Sequence, residues 1–222
     1  MTFGFSNHNI SNGRSLTLRS VFAPVQDYIP IYTAPETFTS IFRMFPYMID
    51  SKHATGGGDI PSFVWHSFDP SAPFTISTCG GIEVTPLPVE HGVSFSDESA
   101  TPYMCMGFRI GEMSYISDTN RVPEETKQKI EGSKILILDA LRETPHGSHF
   151  SFSEVTFFLV LDVEKQAKEF VLSLKPVPEI TYWVGLTHQT DHYLLEQELE
   201  EWSNTTGVRI EPAYDGLQIR LS

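Results

Sequence analysis

Lys134-Ile-Leu-Ile-Leu138 runs straight into Asp139-Ala-Leu-Arg-Glu-Thr-Pro-His146-Gly-Ser-His149-Phe-Ser. The first five residues are a short apolar run of strand length, and Asp139 stands where that strand must end. The pattern recurs elsewhere. Val84–Val89 leads to His91, Met113–Ser117 to Asp118, and Ile180–Thr187 to His188. Residues just past strand ends can converge on one rim of a sheet, where α/β folds commonly form their sites. The fold question therefore turns on whether these runs share one sheet.

Working outward, Met104–Ile110 and Met113–Ser117 form a hairpin through Gly111-Glu112, and Phe74–Ser77 and Ile82–Val89 form one through Gly80-Gly81. Ser62–Phe68 and Tyr28–Tyr32 add strands, and His66 alternates along the first of these as a surface or packed side chain. Thr33-Ala-Pro-Glu36 carries a capping-box pattern. Phe38, Ile41, Phe42 and Phe45 follow it as one helical stripe, expected to be core. Pro123–Ile130, Lys165–Leu174 and Asp191–Trp202 are the other helices, the last with Leu194, Leu195, Leu199 and Trp202 apolar. A final strand is expected over Gly216–Leu221. Val155–Val163 has no helical stripe and looks inserted. Hairpins together with helical connections predict a mixed α/β layered domain. A single domain over 1–222 is expected, with 1–27 irregular.

Composition narrows the function classes. An apolar content of 40% and a charged content of 19% over 222 residues suit one soluble core. No apolar stretch reaches the ~18–20 residues of a membrane span, and Met1–Ile10 carries no secretory pattern. A cytoplasmic or nuclear protein is the expectation. With 28 acidic against 15 basic residues, the formal net charge is −13. Such a surface repels phosphate backbones, which argues against long nucleic acid as a partner and favours a small substrate. Cys79 and Cys105 match neither a disulfide framework nor a cysteine zinc pattern.

The strand-end residues are of metal-binding and proton-handling types. His and Asp together suit a divalent ion such as zinc or manganese, and a carboxylate can bridge two ions. Any one of them alone is a common turn former. Repetition at successive strand ends is what carries weight. His146 and His149, three apart in a Gly-Ser loop, could protonate a leaving oxygen or hold developing charge.

Four segments occur in an order that resembles a known family: Pro86-Leu-Pro-Val-Glu-His91-Gly, Tyr115-Ile-Ser-Asp118-Thr-Asn, the Asp139-to-His149 stretch, and Gly185-Leu-Thr-His188-Gln-Thr-Asp191-His192. Together with Ala213-Tyr-Asp-Gly-Leu217 they are similar to the metallo-β-lactamase superfamily, in the branch near phosphoribosyl cyclic phosphate phosphodiesterase and tRNase Z. The resemblance implies an αββα four-layer sandwich with a dinuclear zinc or manganese site at one sheet edge. It implies His91 as a ligand of one ion, His188 of the other, and Asp118 as the bridging carboxylate. His149 would assist the leaving group, with His146 beside it. Asp139, Asp191 and His192 would stand behind the ligands. The activity implied is hydrolysis of a small or cyclic phosphodiester by a metal-bound hydroxide.

The family's leading His-x-His-x-Asp-His motif does not occur ahead of Tyr28, where His8 stands alone, and the leading strands of the first sheet are expected to be absent with it. That removes four ligands and argues against tight metal binding by this chain alone. Two readings stay open: a metal-dependent phosphodiester hydrolase, and a catalytically silent truncated form or binding protein of the same fold. Oligomeric state is open in both.

Overall fold

β-branched and aromatic runs become strands in the computed structural model, which describes residues 28–56, 62–94, 100–152 and 167–220. The chain divides into two compact units at the Glu83/Val84 junction. Residues 1–27, including His8, and the Val155–Val163 run lie outside the described residues.

In the first unit β1 (Ile29–Thr33) pairs in parallel with β2 (Phe63–Ser67), with Ile29 opposite Phe63 and Thr33 opposite Ser67. Tyr32 stacks on His66 at 4.6 Å and on Phe74, the first residue of β3 (Phe74–Ile76), at 5.5 Å. α1 (Pro35–Met44) starts one residue later than a Thr33 cap would set it. Its N-cap is Ala34, which has no side-chain bond, and the Thr33 hydroxyl donates to the Ala34 carbonyl at 3.3 Å. The aromatic stripe is helical, but no residue of α1 is buried, and Phe42 and Phe45 are 45% and 43% exposed. This corrects the expected core role. Phe38 meets Trp65 edge-on at 5.5 Å, and a two-stranded sheet offers too little surface to cover the rest.

The second unit carries β4 (Ile82–Val93), β5 (Pro102–Ile110), β6 (Met113–Ile116), β7 (Ile135–Asp139), β8 (Ile180–Val184) and β9 (Ile210–Pro212), side by side in chain order. β4, β5 and β6 alternate in direction, and β6 through β9 are parallel neighbours. Parallel neighbours need long crossovers. α2 (Glu124–Ile130), α3 (Ala167–Ser173) and α4 (His192–Thr206) lie in them. Two antiparallel steps give β4 the direction of β6. The C-terminal ends of β4, β6, β7 and β8 therefore share one edge.

Beneath that edge lies the core. Leu87, Ile116, Leu136, Leu138 and Trp183 from the strands pack with Val171 of α3 and Leu199 of α4. Asp191 caps α4, its Oδ1 accepting the Tyr193 and Leu194 backbone N–H groups at 3.0 and 3.1 Å. Leu195 and Leu199 face inward, whereas Leu194 is 65% exposed and does not belong to the buried face. The C-terminal strand forms over Ile210–Pro212 rather than at Gly216, because Asp215-Gly216 is a turn leading to irregular chain.

Candidate metal centre

The shared edge is built by backbone bonds as much as by side chains. Beyond Glu90 the β4–β5 register shifts, and Gly92 takes a positive φ of 75°. The Asp118-Thr119-Asn120 turn after β6 is fastened to this end of β4. Glu90 N–H donates to the Arg121 carbonyl, and Asn120 N–H donates to the Glu90 carbonyl, both at 2.9 Å. The Thr119 hydroxyl lies 3.0 Å from the carbonyls of both Glu90 and Arg121, and Asn120 Oδ1 accepts the Gly92 N–H at 2.8 Å. His91 and Asp118 are thereby made neighbours.

The loop after β7 is laced in the same way. Leu141 N–H donates to the Phe150 carbonyl at 2.9 Å, and Phe150 N–H donates to the Thr119 carbonyl at 2.7 Å. Thr187 N–H, past β8, donates to the Leu141 carbonyl at 2.9 Å. These bonds fold the loop back and set His149 above the end of β7. Asp139 is fully buried. Its Oδ2 accepts the Thr119 N–H at 2.9 Å and faces His149 Nδ1 at 2.8 Å. Burial pushes the Asp139 carboxyl up to about 7, against the opposing pull of the Thr119 N–H.

His91, Asp118 and His149 come together, each offering a ligand atom within 4.8 Å of the others'. The two imidazole rings meet nearly at right angles, with centroids 4.6 Å apart. His91 Nδ1 lies 2.6 Å from the Ser148 carbonyl. A carbonyl only accepts, so Nδ1 carries the hydrogen and Nε2 is the nitrogen left to face an ion. In His149, Nδ1 is engaged by Asp139 and Nε2 is again the nitrogen left over. Burial holds the His149 imidazole below its ordinary value, while the Asp118 charge works the other way. Two imidazoles and a carboxylate are a fitting donor set for a divalent ion such as zinc or manganese.

Residues 14–172 match the family model of the β-lactamase superfamily domain, well over half of the chain. The chain belongs to the metallo-β-lactamase superfamily. Similar solved structures include a diphosphatase from the PhnP family, 22% identical with a TM-score of 0.59, covering 88% of this chain and 59% of that one. Zinc-bound PqqB from Methylobacterium extorquens is 16% identical, with a TM-score of 0.59 and coverage of 87% and 65%. Unliganded yeast PDE1 is 12% identical, with a TM-score of 0.56 and coverage of 87% and 60%. These likenesses show the fold, which is mixed α/β and metallo-β-lactamase-like. The chain spans 59% to 65% of the length of these three structures. No curated protein matches it.

The remaining expected site residues of this superfamily member are distributed as follows. His146 is exposed, with its ring centroid 5.1 Å from that of His149 and its Nδ1 3.3 Å from the Ser148 N–H. Burial and the neighbouring His149 hold its imidazole below the ordinary value. His188 is exposed in the turn after β8 and is not one of the three grouped residues. Asp191 serves the start of α4, and His192 Nε2 lies 3.3 Å from the Ala213 carbonyl. A cleft of about 410 Å³, lined by Arg142, Glu143, Thr187, Asp191 and Leu194 among others, includes none of the grouped residues. Thr119, Asn120, Gly92 and the Ser148 carbonyl were not singled out from the sequence. Asp-Thr-Asn after a strand, and a glycine following His91, were the signals available. Among the described residues no helix is long and apolar enough to cross a membrane.

Proposed function

We propose that this chain hydrolyses a small phosphodiester with the help of a divalent ion, zinc or manganese. The observation that carries the proposal is the convergence of His91, Asp118 and His149 from three separate segments of chain. Family membership supports hydrolase chemistry, and the diphosphatase among its structural relatives supports a phosphorus centre. His91 and Asp118 would hold the ion, which supplies Lewis-acid activation of water and neutralises phosphate charge. The Ser148 carbonyl keeps His91 in the tautomer that such binding needs. An imidazole of the His146–His149 loop would exchange a proton with the departing oxygen. A net charge of −13 disfavours a long polyanion and leaves a small ester as the substrate class.

The test is turnover of bis(p-nitrophenyl) phosphate by the purified chain with zinc or manganese added. Turnover that EDTA abolishes supports the proposal. An ion-loaded chain that releases no nitrophenolate from this or from cyclic phosphodiesters overturns it, in favour of a silent binding form of the fold.

A further inference from the structure

Tyr103 is the cross-strand neighbour of His91. Along β4 and β5, Thr85 pairs with Arg109, Leu87 with Gly107 and Val89 with Cys105. Two residues further on, the same register sets His91 opposite Tyr103, on the sheet face that Val89 and Cys105 share. The pairing loosens there, because the register shifts between Glu90 and Val93. The ring contact survives the shift. The Tyr103 and His91 centroids are 6.5 Å apart, with their planes tilted by 59°.

The pair stands on a rim, past the end of the core. Val89 is 1% exposed and Cys105 packs against the core cluster, whereas Tyr103 is 54% exposed. Val93 and Met104, at the same ends of the two strands, are also exposed, at 47% and 49%. A single exposed apolar side chain is ordinary. Three at adjoining strand ends, continuous with the group of His91, Asp118 and His149, make a ledge suited to the apolar part of a ligand. Tyr103 gives that ledge a rigid π-surface at small entropic cost, with two side-chain torsions to fix. A planar ring stacked there gains attraction beyond its buried area, which an alkyl group does not.

We propose that Tyr103 is a specificity-determining residue that stacks on a planar aromatic ring, aryl or nucleobase, carried by one alcohol of the phosphodiester. The inference rests on the phosphodiester reading above and names its substrate class. Equilibrium binding of monoesters tests it without turnover, in the full chain with zinc present. Calorimetry compares phenyl phosphate with methyl phosphate for the aryl case, and adenosine 5′-monophosphate with ribose 5-phosphate for the nucleobase case.

In at least one pair the aromatic member should bind about tenfold tighter, equivalent to about 1.4 kcal/mol and within the range of a stacked aromatic pair. The pair that responds identifies the source of the ring. Tyr103→Ala should bring the ratio to about one and move the non-aromatic member by less than about twofold, while Tyr103→Phe keeps the preference. No binding, no preference in either pair, or a preference that survives Tyr103→Ala overturns the proposal. Equal losses for both members of a pair also overturn it, since a ring that only props His91 would act so. A loss in Tyr103→Phe as large as in Tyr103→Ala overturns it in favour of the hydroxyl.

Circular dichroism checks that the variants are folded. If Tyr103→Ala does not fold, nuclear Overhauser contacts between the probe ring and the Tyr103 ring of the wild-type chain decide. Their presence supports the stacking, and contacts made only elsewhere overturn it. A preference that depends on Tyr103 without diester turnover removes the hydrolase reading alone. Diester turnover without any aromatic preference removes this inference alone.

Discussion

Asp139 Oδ2 lies 2.8 Å from Nδ1 of His149, while its other oxygen, Oδ1, is buried beside Gly185 and has no hydrogen-bond partner among the described residues. A buried carboxylate with one oxygen unsatisfied is a liability for folding. It is retained here where it orients an imidazole of the metal-site group. The conflict between stability and site geometry makes the residue a sensitive place to probe both.

The first prediction follows from the raised Asp139 carboxyl, held up to about 7 by burial. Below about pH 4 folded and unfolded chains both carry this proton. As pH rises towards 7 the unfolded chain releases it and the folded chain does not, so stability falls, by up to roughly 4 kcal/mol. His149 acts in the opposite sense. Its imidazole is depressed, so its contribution is present above its ordinary value and lost as pH falls through the folded value. Asp139→Asn removes the first effect and keeps the second. Urea melts of the metal-free chain from pH 4 to 8 should show the variant gaining on the wild type as pH rises. Parallel curves would contradict the assignment.

A second prediction concerns the wall behind that carboxylate. Gly185 has a φ of +77°, and a Cβ there would sit 2.8 Å from Asp139 Oδ1. Gly185→Ala therefore meets a backbone penalty of about 1–2 kcal/mol and an overpacking cost of about 1–3 kcal/mol. Moving Asp139 away from His149 would relieve the contact at the expense of that pairing. Loss of 2 kcal/mol or more in urea melts is expected, about the sum of the smaller estimates. A neutral substitution would mean the carboxylate is free to shift.

The core supplies a paired test on α4. Leu199 is fully buried and Leu194 is 65% exposed. Leu199→Ala should cost about 2–5 kcal/mol, and Leu194→Ala should stay within about 0.5 kcal/mol. Equal losses would place the inward face of the helix elsewhere.

That pair also shows what the sequence made legible. Leu195, Leu199 and Trp202 recur at i, i+4 and i+7, so the helix and its inward face were readable. Leu194 is about 100° from its neighbour Leu195 and falls off that stripe. α1 teaches the complement: periodicity reports which residues share a face and is silent on how deeply that face is covered. Phe42 and Phe45 share one and stay largely exposed. β9 is three residues ending in Pro212, too short to announce itself. At the site, parallel strands carry their terminal residues to a common edge, and so His91 and Asp118 could be paired from chain position alone. The return of His149 to that edge depends on backbone bonds, Phe150 N–H to the Thr119 carbonyl above all. No residue type signals a backbone bond. His188 occupies an equivalent place past β8, yet the grouped donors are completed by His149.

The last prediction separates backbone strain from site geometry at two glycines. Gly92 and Gly111 both take positive φ, 75° and 55°. A Cβ on Gly111 would meet open space, whereas one on Gly92 would lie 3.0 Å from Ser148 Cβ. Each alanine substitution should cost about 1–2 kcal/mol for the left-handed backbone. Only at Gly92 must a neighbour also give way, and that neighbour is the residue whose carbonyl holds His91 Nδ1 at 2.6 Å. Displacing Ser148 loosens the His91 tautomer and shifts the adjacent His149 in the same movement. Gly92→Ala should therefore weaken Co²⁺ binding by about 10–100-fold, the range for disturbed partners behind metal ligands. Gly111→Ala, in the hairpin at the far end of β6 from Asp118, should leave it unchanged. If both variants lose similar stability and neither alters Co²⁺ affinity, the Ser148 loop does not set the ligand geometry. A loss confined to Gly92→Ala would show that the close approach of these two loops exists to hold the imidazoles.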